Sequence, residues 1–304
     1  MVNKDFLSLA GYTKTQLDQL IKEAIILKAE RSEGLLRDTL KGKSIAMLFE
    51  KPSTRTLVSF DVGIYELGGH TVTLPSSSLG GREAFEDIAN TLNRYVSGII
   101  IRTFHQDSLE KFSKAASVPV INALSDKFHP CQILADYQTI IEHKGNGHLK
   151  VAYLGDGFNI ANTLLQLCSI VGYDLYIATP VGYEPHKDHV EAAKVTARKT
   201  GSKIVISNNP YEAVQGADII YTDTWTSMGL EEESHIRIPL FQHYQVNAHL
   251  LVEAKPGAKV MHCLPAHRGQ EITNEVIDGP QSIVFDQAEN RLHAQKAILL
   301  SLFR

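Results

Sequence analysis

Ser53, Thr54, Arg55 and Thr56 stand in a row between two segments of different periodicity. Before them the apolar run Ile45-Ala46-Met47-Leu48-Phe49 reads as a strand. After them Leu57, Phe60, Ile64 and Leu67 recur at offsets 0, 3, 7 and 10, one face of a helix, and Gly68-Gly69 reads as its stop. The four residues therefore fall at a helix N-terminus, where backbone N–H groups and the positive end of the dipole favour an anion. Three hydroxyls and a guanidinium in that place suit a dianionic phosphate. The plainer alternative is a Ser/Thr cap beside a solvated arginine.

Other reactive side chains sit at the ends of apolar runs. Arg102 follows Gly98-Ile99-Ile100-Ile101 and either snorkels to water or faces a ligand. His129-Pro130-Cys131-Gln132 follows a loop, with His129 and Gln132 on one face of the coming helix. Asp223-Thr224-Trp225-Thr226-Ser227-Met228-Gly229 follows the strand Ile219-Ile220-Tyr221; its carboxylate suits an ammonium, and its glycine suits a mobile loop. Cys263 closes the strand Lys259-Val260-Met261. It is a nucleophile if a base lowers its pKa, and otherwise a small buried hydrophobe. Cys168, among Leu164, Leu165 and Leu167, has only the second reading. His129 and Cys131 are two apart with no second ligand pair, so no metal is expected.

Gly155-Asp156-Gly157-Phe158-Asn159 raises dinucleotide binding, since a Gly-rich strand-to-helix turn is its hallmark. Ile160 occupies the place of the third glycine, and Tyr176-Ile177-Ala178 runs into Thr179-Pro180 where a ribose-binding acid belongs. A turn that sets the amide of Asn159 at a sheet edge remains.

The elements that must position these residues alternate between strand and helix, as in α/β folds with parallel sheets. Strands are expected near 44–49, 70–74, 97–101 and 119–121, with helices at 54–67, 82–95 and 131–143. After the loop Lys144-Gly145-Asn146-Gly147, further strands are expected near 150–154, 174–178, 203–206, 218–221, 259–261 and 282–285, then a final helix at 288–303. The break at 130–148 reads as a domain boundary.

Composition narrows the partners. At 304 residues the chain has room for two domains of about 150. With 43% hydrophobic and 21% charged residues and a net charge of −4, neither nucleic acid nor an anionic membrane is an expected partner. No apolar run reaches membrane-spanning length and no signal-peptide pattern is visible. Three scattered cysteines suit a reducing compartment, so a cytoplasmic location is expected.

Phe49-Glu50-Lys51-Pro52-Ser53-Thr54-Arg55-Thr56 and His129-Pro130-Cys131-Gln132 together resemble the carbamoyl-phosphate signature of the aspartate/ornithine carbamoyltransferase family. Asp223-x-Trp225-x-Ser227-Met228-Gly229 and His262-Cys263-Leu264-Pro265 are similar to its ornithine branch; an aspartate enzyme would carry Pro-Leu-Pro-Arg at the latter. The resemblance implies two doubly wound parallel-sheet α/β domains joined by interdomain helices, with the active site between them. Residues 1–133, with a C-terminal helix 288–304 returning, would bind carbamoyl phosphate, and 148–287 ornithine. It further implies that Ser53, Thr54, Arg55 and Thr56 hold the phosphate, that Arg102 and His129 join at the carbamoyl group, that Gln132 binds the carbamoyl amide, and that Arg291 is a further phosphate or carbonyl ligand. Asn159, Ser227 and Met228 match ligands of the α-amino and carboxylate end of ornithine, and Asp223 the partner of its α-ammonium. Cys263 and the Leu264 carbonyl belong where the δ-amine meets carbamoyl phosphate. Arg55, Arg102, His129 and Cys263 are the implied catalytic set. Neither a metal nor an organic cofactor is required, and a homotrimer or a multiple of it is implied.

Two positions depart from that pattern. Phe158 stands where many ornithine enzymes have the first of two Asn, and Ser78 where the family often has a Gln; Arg82 is an alternative source of charge. Carbamoyl transfer to putrescine or N-acetylornithine is the near alternative. A diamine needs no carboxylate ligand, so Ser227-Met228-Gly229 argues against it. A non-catalytic phosphate sensor and a nucleotide-dependent oxidoreductase are the readings from other classes.

Overall fold

Residues 4–74, 83–226 and 229–303 are described in a computed structural model. The first series of elements is α1 (Lys14–Ser32), β1 (Ser44–Phe49), α2 (Thr54–Glu66), β2 (His70–Leu74), α3 (Phe85–Leu92), β3 (Gly98–Arg102), α4 (Gln106–Ala115), β4 (Val120–Leu124) and α5 (Pro130–Lys144). The second is β5 (Lys150–Leu154), α6 (Asn159–Val171), β6 (Asp174–Ala178), α7 (Lys187–Thr200), β7 (Ile204–Ser207), α8 (Pro210–Val214) and β8 (Ile219–Thr222). It continues with α9 (Ser234–Phe241), α10 (Ala248–Leu251), β9 (Lys259–His262), α11 (Asn274–Ile277) and α12 (Val284–Phe303).

The strands form two all-parallel sheets, ordered β2-β1-β3-β4 and β7-β6-β5-β8-β9. Strands buried on both faces are apolar over most of their length, and β1, β3 and β4 are almost completely buried, with Arg102 and Asn122 as buried polar members. Among the described strands only β2, at the edge, is substantially exposed. In each sheet the order reverses beside the strand that comes first in the chain, β1 in one and β5 in the other. Ligands of open α/β folds bind outside the carboxyl ends of the strands at such a reversal. The loops there carry Ser53 to Thr56 after β1, and Gly155 to Asn159 after β5.

Two compact units result: residues 1–138 with 289–304, and residues 139–288. The chain passes from one to the other within α5 and again within α12. The first unit is cored by Ala46, Leu48, Ile99, Ile101, Phe112 and Val120. The second is cored by Ala152, Leu154, Ile220, Val260 and Ile272, among others.

Three local outcomes bear on the site. Gly68 follows α2 with φ 80°, and its N–H and that of Gly69 close the helix onto Tyr65 and Ile64 carbonyls. No strand forms at 282–285: Ser282 makes one bridge to Val260, and α12 starts at Val284. The short apolar group Ile283-Val284-Phe285 has strand propensity, but the helical period that continues through Arg291 overrides it. The helix expected at 82–95 is narrower, Phe85–Leu92.

Candidate functional site

At the start of α2, Ser53 is the N-cap: its Oγ accepts the N–H of Thr56 at 3.4 Å. The same hydroxyl donates to Thr56 Oγ1 at 2.9 Å, and Arg291, reaching from α12, donates to that oxygen at 2.7 Å. A hydroxyl with both acceptor positions taken has its proton left to donate, so buried Thr56 is set to offer a hydrogen bond to a ligand oxygen. Thr54 opens the helix and is exposed; Arg55 is half-buried, and its Nε is buried with no protein acceptor.

Arg102 arrives as the last residue of β3, paired with Phe49 across β1, and its side chain is buried. The loop after β1 is tied to it. Glu50 donates its N–H to the Arg102 carbonyl at 2.8 Å, and its carboxylate accepts the Phe104 N–H at 2.9 Å and the Thr103 hydroxyl. His129 precedes α5. The turn before it is built on Ser125, whose Oγ donates to Gln106 and accepts the Phe128 N–H. Burial drives the His129 pKa well below its usual value, and the charges of Arg291, Arg102 and Arg55 push it the same way. The imidazole is thus neutral among three guanidiniums: the pocket keeps three positive charges and gains a neutral donor. Gln132, one turn on, donates to buried Asp136 at 2.9 Å, which sets its Oε1 as the acceptor end. Cys131 donates its thiol to the Asn122 carbonyl at 3.2 Å, and burial raises its pKa to about 12, so it is inert.

In the second unit three strand ends are brought into line. Leu154 pairs with Thr222, and Thr222 with His262, so the next residues, Gly155, Asp223 and Cys263, emerge side by side. Cys263 donates its thiol to Asp223 Oδ1 at 2.9 Å, and the Thr224 N–H reaches the same oxygen at 2.7 Å. The thiol is therefore a proton-bearing donor in this arrangement. Burial raises the Asp223 pKa, opposed by the Cys263 and Thr224 hydrogen bonds. Asp223, His262 and Cys263 lie close enough to suggest a metal cluster. The donor chemistry argues otherwise, because both His262 nitrogens are engaged: Nδ1 accepts the Leu264 N–H at 2.8 Å and Nε2 lies 3.0 Å from Glu271.

Gly157 has a packing reason. A Cβ there would lie 2.2 Å from Pro185 N and 2.5 Å from the Tyr183 carbonyl, so the turn after β5 fits only glycine. Asn159 is buried as the first residue of α6. Leu264 has φ 57°, a left-handed conformation costing an L-residue roughly 1–2 kcal/mol. Ser227 and Met228, with Ser78 and Arg82, lie outside the described residues.

Several side chains that support these groups have no motif. Arg237 of α9 is buried, with Asp156 at 2.6 Å, Glu233 at 2.7 Å and the Trp225 carbonyl at 3.2 Å. It thereby ties Trp225 and Glu233 to the turn after β5. Burial pushes Asp156 up to about 6 against the pull of Arg237. In the first unit Lys296 and Arg31 both bind Glu66, at 2.7 Å each, which fixes α12 and α1 to the far end of α2. Two of these carried a sequence signal, the i,i+4 spacing of Asp136 from Gln132 and of Arg237 from Glu233.

Residues 4–142 match the family model for "Aspartate/ornithine carbamoyltransferase, carbamoyl-P binding domain", and 147–302 that for its "Asp/Orn binding domain". An ornithine carbamoyltransferase of Caldicellulosiruptor saccharolyticus is 51% identical over 300 residues, 98% of this chain and 97% of its own. One from Geobacter metallireducens is 48% identical, with both chains fully covered. Among solved structures, the ornithine carbamoyltransferase of Pyrococcus furiosus superposes with a TM-score of 0.95 at 46% identity, covering 98% of this chain and 96% of that one.

Proposed function

Because the chain belongs to the aspartate/ornithine carbamoyltransferase family, we propose that it transfers the carbamoyl group of carbamoyl phosphate to the δ-amine of L-ornithine, giving L-citrulline and phosphate. The observation that carries this reading is the ring of Arg55, Arg102 and Arg291 around a neutral His129, closed by Thr56. In this assignment residues 1–133 and 288–304 take carbamoyl phosphate, and 148–287 take ornithine.

The chemistry follows from the groups. Ser53, Thr54, Arg55 and the α2 terminus hold the phosphate, a better leaving group once its charge is neutralised. Attack on the carbonyl carbon creates an oxyanion, to which Thr56, Arg102 and neutral His129 donate; one such donor is worth roughly 3–4 kcal/mol. Arg291 supports the same end through Thr56, and Gln132 accepts from the carbamoyl amide. The δ-amine resembles lysine, with a pKa of about 10, so at pH 7 roughly one molecule in a thousand is ready to attack. A partly desolvated pocket raises that fraction. Asp223 takes the α-ammonium, Asn159, Ser227 and Met228 the α-amino and carboxylate end, and the Cys263 thiol and Leu264 carbonyl orient the amine. Cys263 forms no covalent bond in this scheme, consistent with a thiol that donates to Asp223.

Arginine metabolism, biosynthetic or catabolic, as the setting, the cytoplasm as the place and a homotrimer or a multiple of it as the assembly complete the reading. The family resemblance supports the first and last, and three free cysteines support the second. The deciding experiment offers labelled carbamoyl phosphate with ornithine, putrescine and N-acetylornithine in parallel. Label in citrulline alone is the expected result; preference for another amine, or no ureido product, refutes it.

A further inference from the structure

His262 and Glu271 are both fully buried, and the mechanism above gives neither a task. His262 ends β9 with its ring between two partners. A ring nitrogen that accepts a backbone N–H carries no proton, so Nδ1, which accepts from Leu264 at 2.8 Å, is bare. The ring proton then lies on Nε2 and is donated to Glu271 Oε1 at 3.0 Å. The same carboxylate oxygen accepts the His267 N–H at 2.5 Å. Carboxylate and imidazole thus hold the chain after β9 at Leu264 and at His267. Between those points Leu264 adopts φ 57°, and Cys263 directs its thiol at Asp223. A left-handed leucine persists only where its surroundings impose it, and the bond from its N–H to His262 is the local restraint.

We infer that the His262–Glu271 pair positions the amine end of the ornithine site. Glu271 selects the imidazole tautomer, the imidazole anchors the Leu264 amide, and that anchor aims the Leu264 carbonyl and the Cys263 thiol. The inference rests on ornithine carbamoyl transfer as the activity. Both residues act through Leu264 and Cys263 and are positioning residues.

Two substitutions in the full chain separate the ends of the ring. In His262→Asn the amide oxygen takes the place of Nδ1 and can still accept from Leu264; in His262→Gln the polar group reaches toward Glu271 instead. His262→Gln is expected to lower kcat/KM for ornithine about 100-fold, the usual penalty for a misplaced reacting group, with the carbamoyl-phosphate KM little changed. His262→Asn is expected to recover most of that loss. Equal losses in the two variants, or a carbamoyl-phosphate KM that rises with that for ornithine, overturn the inference. Glu271→Gln keeps an oxygen for both donors and serves if the histidine variants fail to fold; it should retain activity within a few-fold, whereas Glu271→Leu should behave like His262→Gln. Histidine 15N NMR of the unmodified protein reads the tautomer without reference to activity. A bare Nδ1 and protonated Nε2 are expected, and the opposite tautomer in an active enzyme overturns this inference alone. Unmodified protein that makes no citrulline overturns the functional reading instead.

Discussion

Around His129 the first unit gathers three guanidiniums, groups that keep their charge at any working pH; in the second unit the Cys263 thiol donates to a carboxylate whose pKa burial raises. Burial acts on both places and has opposite uses. In the first it makes a histidine neutral, so the positive charge stays in groups that cannot lose it. In the second it raises the pKa of Asp223, a carboxylate more ready to meet an ammonium than to remain alone. On the proposed function, one region is a fixed electrostatic mould for a dianion, and the other is tuned for a substrate whose own protonation decides whether it reacts.

Arg55→Ala is the strongest way to break the contrast. Removing one cation from the mould should lower kcat/KM for carbamoyl phosphate about 1,000-fold, with ornithine affinity and folding little changed. Arg55 is half-buried at a helix start, outside the core, so calorimetry should find the Tm preserved. Unchanged carbamoyl-phosphate affinity would sink the assignment. Asp223→Asn attacks the other side: ornithine KM should rise about 100-fold, while direct carbamoyl-phosphate binding holds. Losses of equal size in both substrates would erase the division of labour.

Gly157→Ala sharpens the comparison, because it tests a turn whose glycine answers to packing. The added Cβ meets backbone at 2.2 Å, so the second unit should lose several degrees in Tm, at about 2–4 °C per kcal/mol for a unit of this size. A stable Gly157→Ala protein would return that turn to a ligand role. The smallest effect concerns pH. The His129 pKa is depressed in the folded protein, so below about 6.5 the unfolded chain takes up a proton that the folded one does not. This group therefore costs stability as pH falls, by at most about 1.4 kcal/mol per unit. His129→Gln should flatten the decline between pH 7 and 5 in denaturant titrations; an unaltered slope would mean a charged imidazole in the native pocket.

The legible part of this molecule was the part written locally. Leu57, Phe60 and Ile64 declare α2 through their spacing, and Ser53 caps it three residues before Thr56, so the hydroxyl-rich helix start could be read without a fold. Apolar runs declared β1, β3, β5, β8 and β9, and each reactive residue just beyond such a run was visible by position alone. The same local logic misplaced a strand at 282–285, where the longer helical pattern won. It also passed over α1, whose stripe of Leu17, Leu20, Ile21, Ala24 and Leu27 is diluted by charge.

Contacts across long stretches of chain had no such signature. Arg291 meets Thr56 235 positions away, Arg237 meets Asp156 81 positions away, and Cys263 meets Asp223 40 positions away. Composition and periodicity specify which side chains each element offers and which face it buries, since those depend on neighbours a few residues apart. Which ends then converge is decided by strand order and register, because one pairing of Thr222 with Leu154 and His262 puts three distant residues on the same edge. The residue types were in the chain; the charges they hold, from neutral His129 to the raised Asp223, exist only after folding removes the water around them.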